Sequence, residues 1–503
     1  MRLPPRFRLS SVQQAIPKER GSSQDPSTIV SVLQEIRGPF ALVYVLPENN
    51  QIWFARDLFG RRSLVISINE SITLCSVAFP RSTETEGCFL EVPAGILFCL
   101  RLNQKTGTVI SENGLKSFEP FSLSSVILDI FPLQTHEYGL SEFCNIFSNA
   151  GITVQTHEQC RGNRKDQNLF CISPEMMTLN LPCLVNETPS DQLQLLSALQ
   201  QEWRSYIITF LSHLEAAVEP RISPSTDISW SAKLLTTSSR ICLLFSGGVD
   251  SLVLAYAIHQ TLPPDESVDL LNVAFKLSEG DNNSASSAPD RLTGQSGYEE
   301  LCRVCPGRTW RLVKVDIGLA DVIEAYKDRI SVLLQPNRES VIDNSLGIGL
   351  WFAAKGRGLW NGRPYTSKAR VLLAGTGADE LLGGYARHRT KFRLGGWDAL
   401  RQELELELRR LSSRNLGRDD RMVADHGKEL RLPFLDEHFV ANINALPLNA
   451  KVDLNFPRGV GEKLLLRLSL YHVGFREAAV KPKRAFQFGS NIAKLLKTVD
   501  LKH

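Results

Sequence analysis

Leu244-Phe245-Ser246-Gly247-Gly248-Val249-Asp250-Ser251-Leu252-Val253 is the stretch on which the fold turns. An apolar run leads into Ser-Gly-Gly and out through residues suited to a helix start, which predicts a strand, a tight loop and a helix opening near Asp250. The first N–H groups of such a helix have no partner within it, and the helix dipole adds positive potential, so the loop presents an anion site. Gly247 and Gly248 let the backbone approach phosphate oxygens with no Cβ in the way, while the Ser246 and Ser251 hydroxyls can donate to the same oxygens. Asp250 would repel a phosphate unless a cation lay between, which points to Mg²⁺. The competing reading is a plain βα turn capped by Ser and Asp. A chance match to five fixed residues in a chain of this length is on the order of one in 10⁴, and the Walker pattern G-x-x-x-x-G-K-[ST] is absent.

Outward from the loop, buried-strand runs (Ile241 to Phe245, Leu270 to Phe275, Leu312 to Val315, Val371 to Ala374) alternate with helical text, the pattern of a doubly wound parallel α/β sheet. Lys276 to Gly297 breaks the alternation and reads as a mobile insertion. Asp398 to Leu411 reads as an amphipathic helix with Glu405 and Arg409 at i,i+4. Residues 31–100 are instead β-rich, with short β-branched or aromatic runs separated by turn signals such as Phe59-Gly60. The text from 102 to 225 is weaker, with a helix expected over Gln192 to Leu214 and linker elsewhere. Three segments are therefore expected: 1–125, 126–218 as linker or interface, and 219–497.

The chain has 503 residues, 43% hydrophobic and 22% charged, which predicts more than one core and excludes a disordered or fibrous class. Lys and Arg number 57 against 54 Asp and Glu, and 57 − 54 = +3 is too near neutral for the whole molecule to act as a polycation toward nucleic acid. No apolar run is long enough to span a membrane. Ten cysteines are too sparse for a disulfide scaffold, and Cys302 and Cys305 lack a second pair at zinc-site spacing. A cytoplasmic protein with reduced thiols is the expectation.

The text downstream of the loop narrows the class. Val371-Leu-Leu-Ala-Gly375-Thr-Gly377-Ala-Asp379-Glu380-Leu-Leu-Gly383-Gly384-Tyr385 places a glycine turn and paired acids at the end of a second strand, where α/β folds assemble their sites. It is followed by Asn415-Leu-Gly-Arg418-Asp419-Asp420-Arg421, Arg431-Leu-Pro-Phe-Leu-Asp436, Gly461-Glu-Lys463-Leu-Leu-Leu-Arg467 and Lys481-Pro-Lys483-Arg-Ala-Phe486. Ser-Gly-Gly-x-Asp-Ser resembles the pyrophosphate loop of the N-type ATP pyrophosphatases, and the whole series, over about 240 to 495, resembles the synthetase domain of class B asparagine synthetases and the related β-lactam synthetases. That resemblance implies activation of an aspartate carboxylate by ATP to an adenylate, release of pyrophosphate, and attack by ammonia or glutamine-derived nitrogen. It implies a nucleotide site at Leu244, Ser246, Gly247, Gly248, Val249, Asp250, Ser251, Gly375 and Gly377, Mg²⁺ on Asp250 and Asp379, and chemistry at Lys483, Asp379 and Glu380. Trp53-Phe-Ala-Arg56-Asp57-Leu-Phe59-Gly60-Arg61-Arg62 resembles the second half of a class II glutamine amidotransferase domain, with the Ntn-hydrolase sandwich that implies, and suggests an ionically clamped turn.

Two departures from the family pattern bear on function. Class II amidotransferases use a cysteine exposed by removal of Met1, and here position 2 is Arg and no Cys precedes Cys75, so the glutaminase half is expected to be incomplete and inactive. Where the pattern has an acid as candidate base, this chain has Thr376, whose hydroxyl accepts no proton at neutral pH. Glu380, four residues on, is the available substitute. The expectation is an ATP-dependent carbon–nitrogen ligase, with a nucleotide-binding pseudo-enzyme as the alternative.

Overall fold

Short β-branched and aromatic segments in the first third of the chain form sheet, and the strand–loop–helix text of the second half forms a separate sheet with helices around it. The computed structural model describes residues 29–30, 36–46, 49–68, 72–78, 89–102, 109–112, 115–118, 126–132, 140–150, 152–157, 169–177, 188–223, 239–277, 285–336 and 341–498. Arg2 and residues 278–284 of the expected insertion lie outside them. Two compact units result, Met1–Gln167 with Arg409–Gly417, and Asn168–Leu408 with Arg418–His503.

The first unit contains β1 (Ala41–Leu46), β2 (Gln51–Arg56), β3 (Val65–Ile68), β4 (Ile72–Cys75), β5 (Leu90–Glu91), β6 (Ile96–Leu102), β7 (Val109–Glu112), β8 (Leu115–Phe118), β9 (Val126–Pro132), helix α1 (Leu140–Asn149) and β10 (Thr153–Thr156). Five strands pair in the order β1-β2-β6-β9-β10, β4-β3-β5 form a second sheet, and β7 and β8 a hairpin. Side chains alternate across the larger sheet. Phe54, Phe98, Leu128 and Ile130 pack with Leu64, Ile66 and the α1 residues Phe143 and Phe147, while Trp53, Leu97, Cys99 and Phe131 form a core on the other face. Since β9 and β10 complete this sheet, the expected linker starting at 126 begins inside a folded unit. Its later part is also structured, as α2 (Pro189–Gln200) and α3 (Arg204–Ile222). The single helix expected over 192 to 214 is thus two, broken where buried Trp203 donates Nε1–H to Ala450 O at 2.9 Å.

The clamped turn is present. Arg56, 1% exposed, donates to Arg62 O (2.8 Å), Glu91 Oε2 (2.9 Å), Val92 O (3.0 Å) and Gly60 O. Asp57 accepts from Arg61 Nε and Arg61 N, each at 2.9 Å. These side chains close the chain from β2 into β3 and hold β5 beside it.

In the second unit β11 (Ile241–Leu244), β12 (Val268–Phe275), β13 (Trp310–Ile317), β14 (Arg357–Trp360), β15 (Arg363–Thr366), β16 (Val371–Leu373) and β17 (Glu429–Arg431) lie in the order β15-β14-β13-β12-β11-β16-β17. Five run parallel, β13-β12-β11-β16-β17, with the antiparallel hairpin β14–β15 at one edge. The parallel strands are buried almost throughout, as a sheet covered on both faces must be. Taken in chain order they stand 3-2-1-4-5. The order therefore reverses between β11 and β16, and the crevice at the carboxyl ends of those two strands is where such sheets bind ligands.

Around the sheet run α4 (Val249–Thr261), α5 (Pro289–Val304), α6 (Val341–Lys355), α7 (Ala378–Leu382), α8 (Ala386–Leu411), α9 (Leu464–His472) and α10 (Phe486–Gly489). Helix α5 corrects the expected mobile insertion, since from Pro289 onward that text is a 16-residue helix. Helix α8 is interrupted at Gly395 and Gly396, the latter at φ +62°, so the expected start at Asp398 marks its second half. There Glu405 pairs with Arg401 (3.4 Å) and accepts from Ile172 N–H (3.0 Å). Replacing Arg56 by Leu leaves buried carbonyls and Glu91 without their donor. The expected loss is about 3–5 kcal/mol, read as a lower urea midpoint in the fluorescence of Trp53.

Candidate active site

The Ser-Gly-Gly loop leaves β11 and enters α4 as the sequence predicts. Gly247 has φ +72°, the left-handed region open to glycine, and a Cβ there would overlap the main chain of Thr293 in α5. Gly297 and Gly247 pack backbone to backbone, with a Cβ on Gly297 falling 2.9 Å from Gly247 Cα. The loop therefore rests on α5, in the text read as insertion. Gly248 caps α4 without a side-chain bond, so the first-turn N–H groups at Val249, Asp250 and Ser251 face the crevice. Ser246 Oγ accepts from Gly248 N–H at 3.3 Å and keeps its own hydrogen to give. Ser251 differs from expectation, because its hydroxyl donates back to Gly248 O at 3.0 Å and caps the helix from within.

At the end of β16, Gly375 lies against the loop, where a Cβ would fall 2.9 Å from Asp250 Cβ. Gly377, at φ +101°, starts α7 and leaves no room for a side chain, with Leu435 Cδ2 2.6 Å from the position a Cβ would take. This turn brings Asp379 to face Asp250. Between the two carboxylates stands Lys463, wholly buried, with Nζ 2.6 Å from Asp250 Oδ1 and Oδ2 and 2.6 Å from Asp379 Oδ1. The Asp379 contact is a close ion pair without a directed hydrogen bond on that oxygen. Lys483 bonds the other oxygen, Asp379 Oδ2, and its ammonium lies 4.3 Å from the Tyr385 ring centroid. The structure thus brings Asp250, Asp379 and Lys483 together and adds Lys463, which the sequence reading quoted in Gly461-Glu-Lys463 and gave no role. Lys463 is unusual in adopting φ +57°, a strained position for a residue with a Cβ.

Burial works against the charge of Asp379, and the Lys463 and Lys483 ammonium groups overcome it, holding the carboxyl well below the usual carboxylate range. For Lys463 burial again opposes ionisation, and Asp250 and Asp379 outweigh it, so its pKa rises. Stability from Asp379 is accordingly present above the ordinary carboxylate pKa and is lost as pH falls below it. Glu380 is placed otherwise. It is 2% exposed and accepts from Tyr385 Oη at 2.6 Å, and burial together with the Asp379 charge raises its pKa. Thr376 sits half-buried between the two glycines of the turn.

Two facing carboxylates suit Mg²⁺, which takes one or two such ligands and fills the rest of its sphere with phosphate oxygens and water. The Lys463 ammonium already occupies a cation position between them, so the donor set of Asp250 and Asp379 fits the ion.

This crevice, at the reversal of a parallel sheet with a Ser-Gly-Gly loop on one strand end and an acid pair on the next, defines an asparagine-synthase-type α/β protein, and the family model described as "Asparagine synthase" matches residues 393–500. The chain is 35% identical to human "Asparagine synthetase domain-containing protein 1" over 95% of its length and 80% of that protein. It is 33% identical to "Asparagine synthetase domain-containing protein CG17486" of Drosophila melanogaster over 92% of its length and 79% of that protein, and 27% identical to mouse "Asparagine synthetase [glutamine-hydrolyzing]" over 51% of its length and 41% of that enzyme. The chain belongs to the family of asparagine synthetase domain-containing protein 1. Among the described residues no helix is long and apolar enough to cross a membrane.

Replacing Lys463 by Met leaves Asp250 and Asp379 facing each other without their cation. The variant should lose about 3–5 kcal/mol and regain more thermal stability with millimolar Mg²⁺ than the parent does. Differential scanning fluorimetry across a Mg²⁺ series reads both effects, and equal Mg²⁺ responses would count against a shared cation position.

Proposed function

We propose that the second unit binds ATP with Mg²⁺ and transfers its adenylyl group to the carboxylate of a small acid of the aspartate type, releasing pyrophosphate. The observation that carries this reading is the Lys463 ammonium 2.6 Å from both Asp250 and Asp379, at the carboxyl ends of neighbouring strands where the sheet order reverses. The first-turn N–H groups of α4 and the Ser246 hydroxyl would hold the β and γ phosphates. Asp250 and Asp379 would hold the ion, which when bound polarises the phosphates and screens their charge. Lys463 and Lys483 would place fixed positive charge where negative charge grows on the bridging and non-bridging oxygens. Gly375 and Gly377 would line the nucleotide site through their main chain, since their Cβ positions are taken by Asp250 and Leu435.

The amide-forming half of the reaction is less well supplied. An incoming ammonium must lose a proton, and the turn offers Thr376 in place of an acid. Glu380, the remaining carboxyl near it, is buried and already engaged with Tyr385, so it is poorly placed to accept a proton from a nucleophile. This observation favours a second reading, in which the chain binds ATP and forms no amide, as in a nucleotide-binding pseudo-enzyme.

Exchange of labelled pyrophosphate into ATP with a panel of small carboxylic acids tests the first reading. Exchange that requires an aspartate-like acid and falls at least ~10²-fold in Asp250→Ala supports it, a loss in the range typical for removal of one charge-stabilising group. Tight ATP binding with no exchange for any acid favours the second. Where exchange is present, Thr376→Glu should raise ammonia-dependent amide formation by roughly 10²-fold or more without changing exchange. An unchanged amide rate in a variant that still exchanges would place the missing base elsewhere.

A further inference from the structure

Asp290 opens α5 and is 6% exposed, and the adenylation reading gives it no part. Its main-chain carbonyl accepts from Asn272 Nδ2 at 2.9 Å, and the same nitrogen donates at 2.8 Å to Phe245 O, the residue before Ser246. Its carboxyl faces α10, where a Cβ on Gly489 would overlap both oxygens. Gly489 lies six residues after Lys483, and the segment returns to the sheet through Phe275 N–H donating to Ser490 O at 2.9 Å. Asp290 therefore meets the support of the phosphate loop through its backbone and the Lys483-bearing segment through its side chain.

Asp290 Oδ2 has no hydrogen-bond partner among the described residues, and neither have the buried amide oxygens of Asn272 and Asn491. An ionised carboxylate without a donor is costly to bury, whereas the protonated acid carries one negative charge fewer and is less costly to bury. Burial pushes Asp290 up to about 7, and the charge that draws it back is Arg484 of the same segment. Helix α10 and strand β12 face it with Gly489 and Asn272, which do not titrate, and the neighbouring Arg291 on α5 is turned to Asp316.

We propose that Asp290 is a positioning residue which, while protonated, seats residues 481–491 against the support of the phosphate loop, and which loosens that seat on ionisation. Opening the segment hydrates the carboxyl and returns it to the ordinary range near ~4. Each pH unit between about 4 and about 7 then shifts the balance from seated to open by up to about tenfold, and the shift levels off above that. Through this seat pH would govern where Lys483 stands. The inference rests on the adenylation reading only for the chemical role of Lys483.

Amide hydrogen exchange of residues 481–491 in the full-length chain, at pH 5 and pH 8 and corrected for intrinsic rates, tests it. In the parent the fraction open should rise at least ~30-fold between the two, while Asp290→Asn should show little change with pH and Gly489→Ala should be open at both. Equal protection of the parent segment at the two pH values, or the same pH dependence in Asp290→Asn, overturns the proposal. Should Asp290→Asn fail to fold, the parent profile and Gly489→Ala decide. Absence of pyrophosphate exchange would remove the adenylation reading and leave this result standing.

Discussion

The buried ammonium of Lys463, 2.6 Å from carboxylate oxygens of both Asp250 and Asp379, is the contact that joins the two halves of the crevice. Asp250 comes from the first turn after β11 and Asp379 from the first turn after β16, so neither strand end can shift without disturbing the other through the lysine. Two carboxylates drawn together without a cation would repel, and one of them would take up a proton. With the lysine present Asp379 stays ionised despite its burial. The cost of this arrangement appears in the backbone, because Lys463 is held at φ +57° by its N–H bond to Leu382 O and by the start of α9.

The same contact bears on how a divalent ion could enter. An ammonium and Mg²⁺ compete for the same oxygens, so if Asp250 and Asp379 held the ion Lys463 would have to give up at least part of its contact with them. The lysine would then move from neutralising two carboxylates to neutralising the nucleotide. A site of this kind holds its charge balance with and without ligand, which lets acids converge in the free protein at no great loss of stability. Lys483, on the other oxygen of Asp379, would keep one cation on that acid in such an exchange.

Much of this was legible from local sequence. The strand–Ser-Gly-Gly–helix stretch and the Gly375 to Asp379 turn each carry their geometry in a few residues, since glycines at φ +72° and +101° leave little freedom in how the chain runs. What was not legible depends on contacts between distant residues. Lys463 is separated from Asp250 by 213 positions, and nothing in Gly-Glu-Lys reveals that its side chain turns inward. The Ser, Asn and Asp text before Pro289 hid a helix whose small residues, Gly294 and Gly297, serve to admit Asn272 and Gly247. A run of polar and small residues looks like a loop when only composition is considered. In the first unit the turn at Arg56 and Asp57 was readable because Gly60, Arg61 and Arg62 lie within six residues of them, whereas the Arg56 bonds to Glu91 and Val92 and the places of β9 and β10, which depend on pairing with β6 and with each other, were not.

The two halves of the proposed reaction make unequal demands on the fold, and the residues reflect this. Holding and polarising ATP needs strand ends, helix N–H groups and fixed cations, all of which are tied into the sheet and costly to lose. Accepting a proton from the nucleophile needs one carboxyl at the tip of a turn. Position 376 can exchange an acid for Thr without disturbing Gly375 or Gly377, whose close contacts with Asp250 and Leu435 set the turn. Glu380 cannot take over without giving up Tyr385, and with it the ring against which the Lys483 ammonium rests. A chain relieved of selection for amide synthesis would therefore lose the base first and keep the acid pair, because Asp250, Asp379 and Lys463 also tie together the segments that follow β11 and β16.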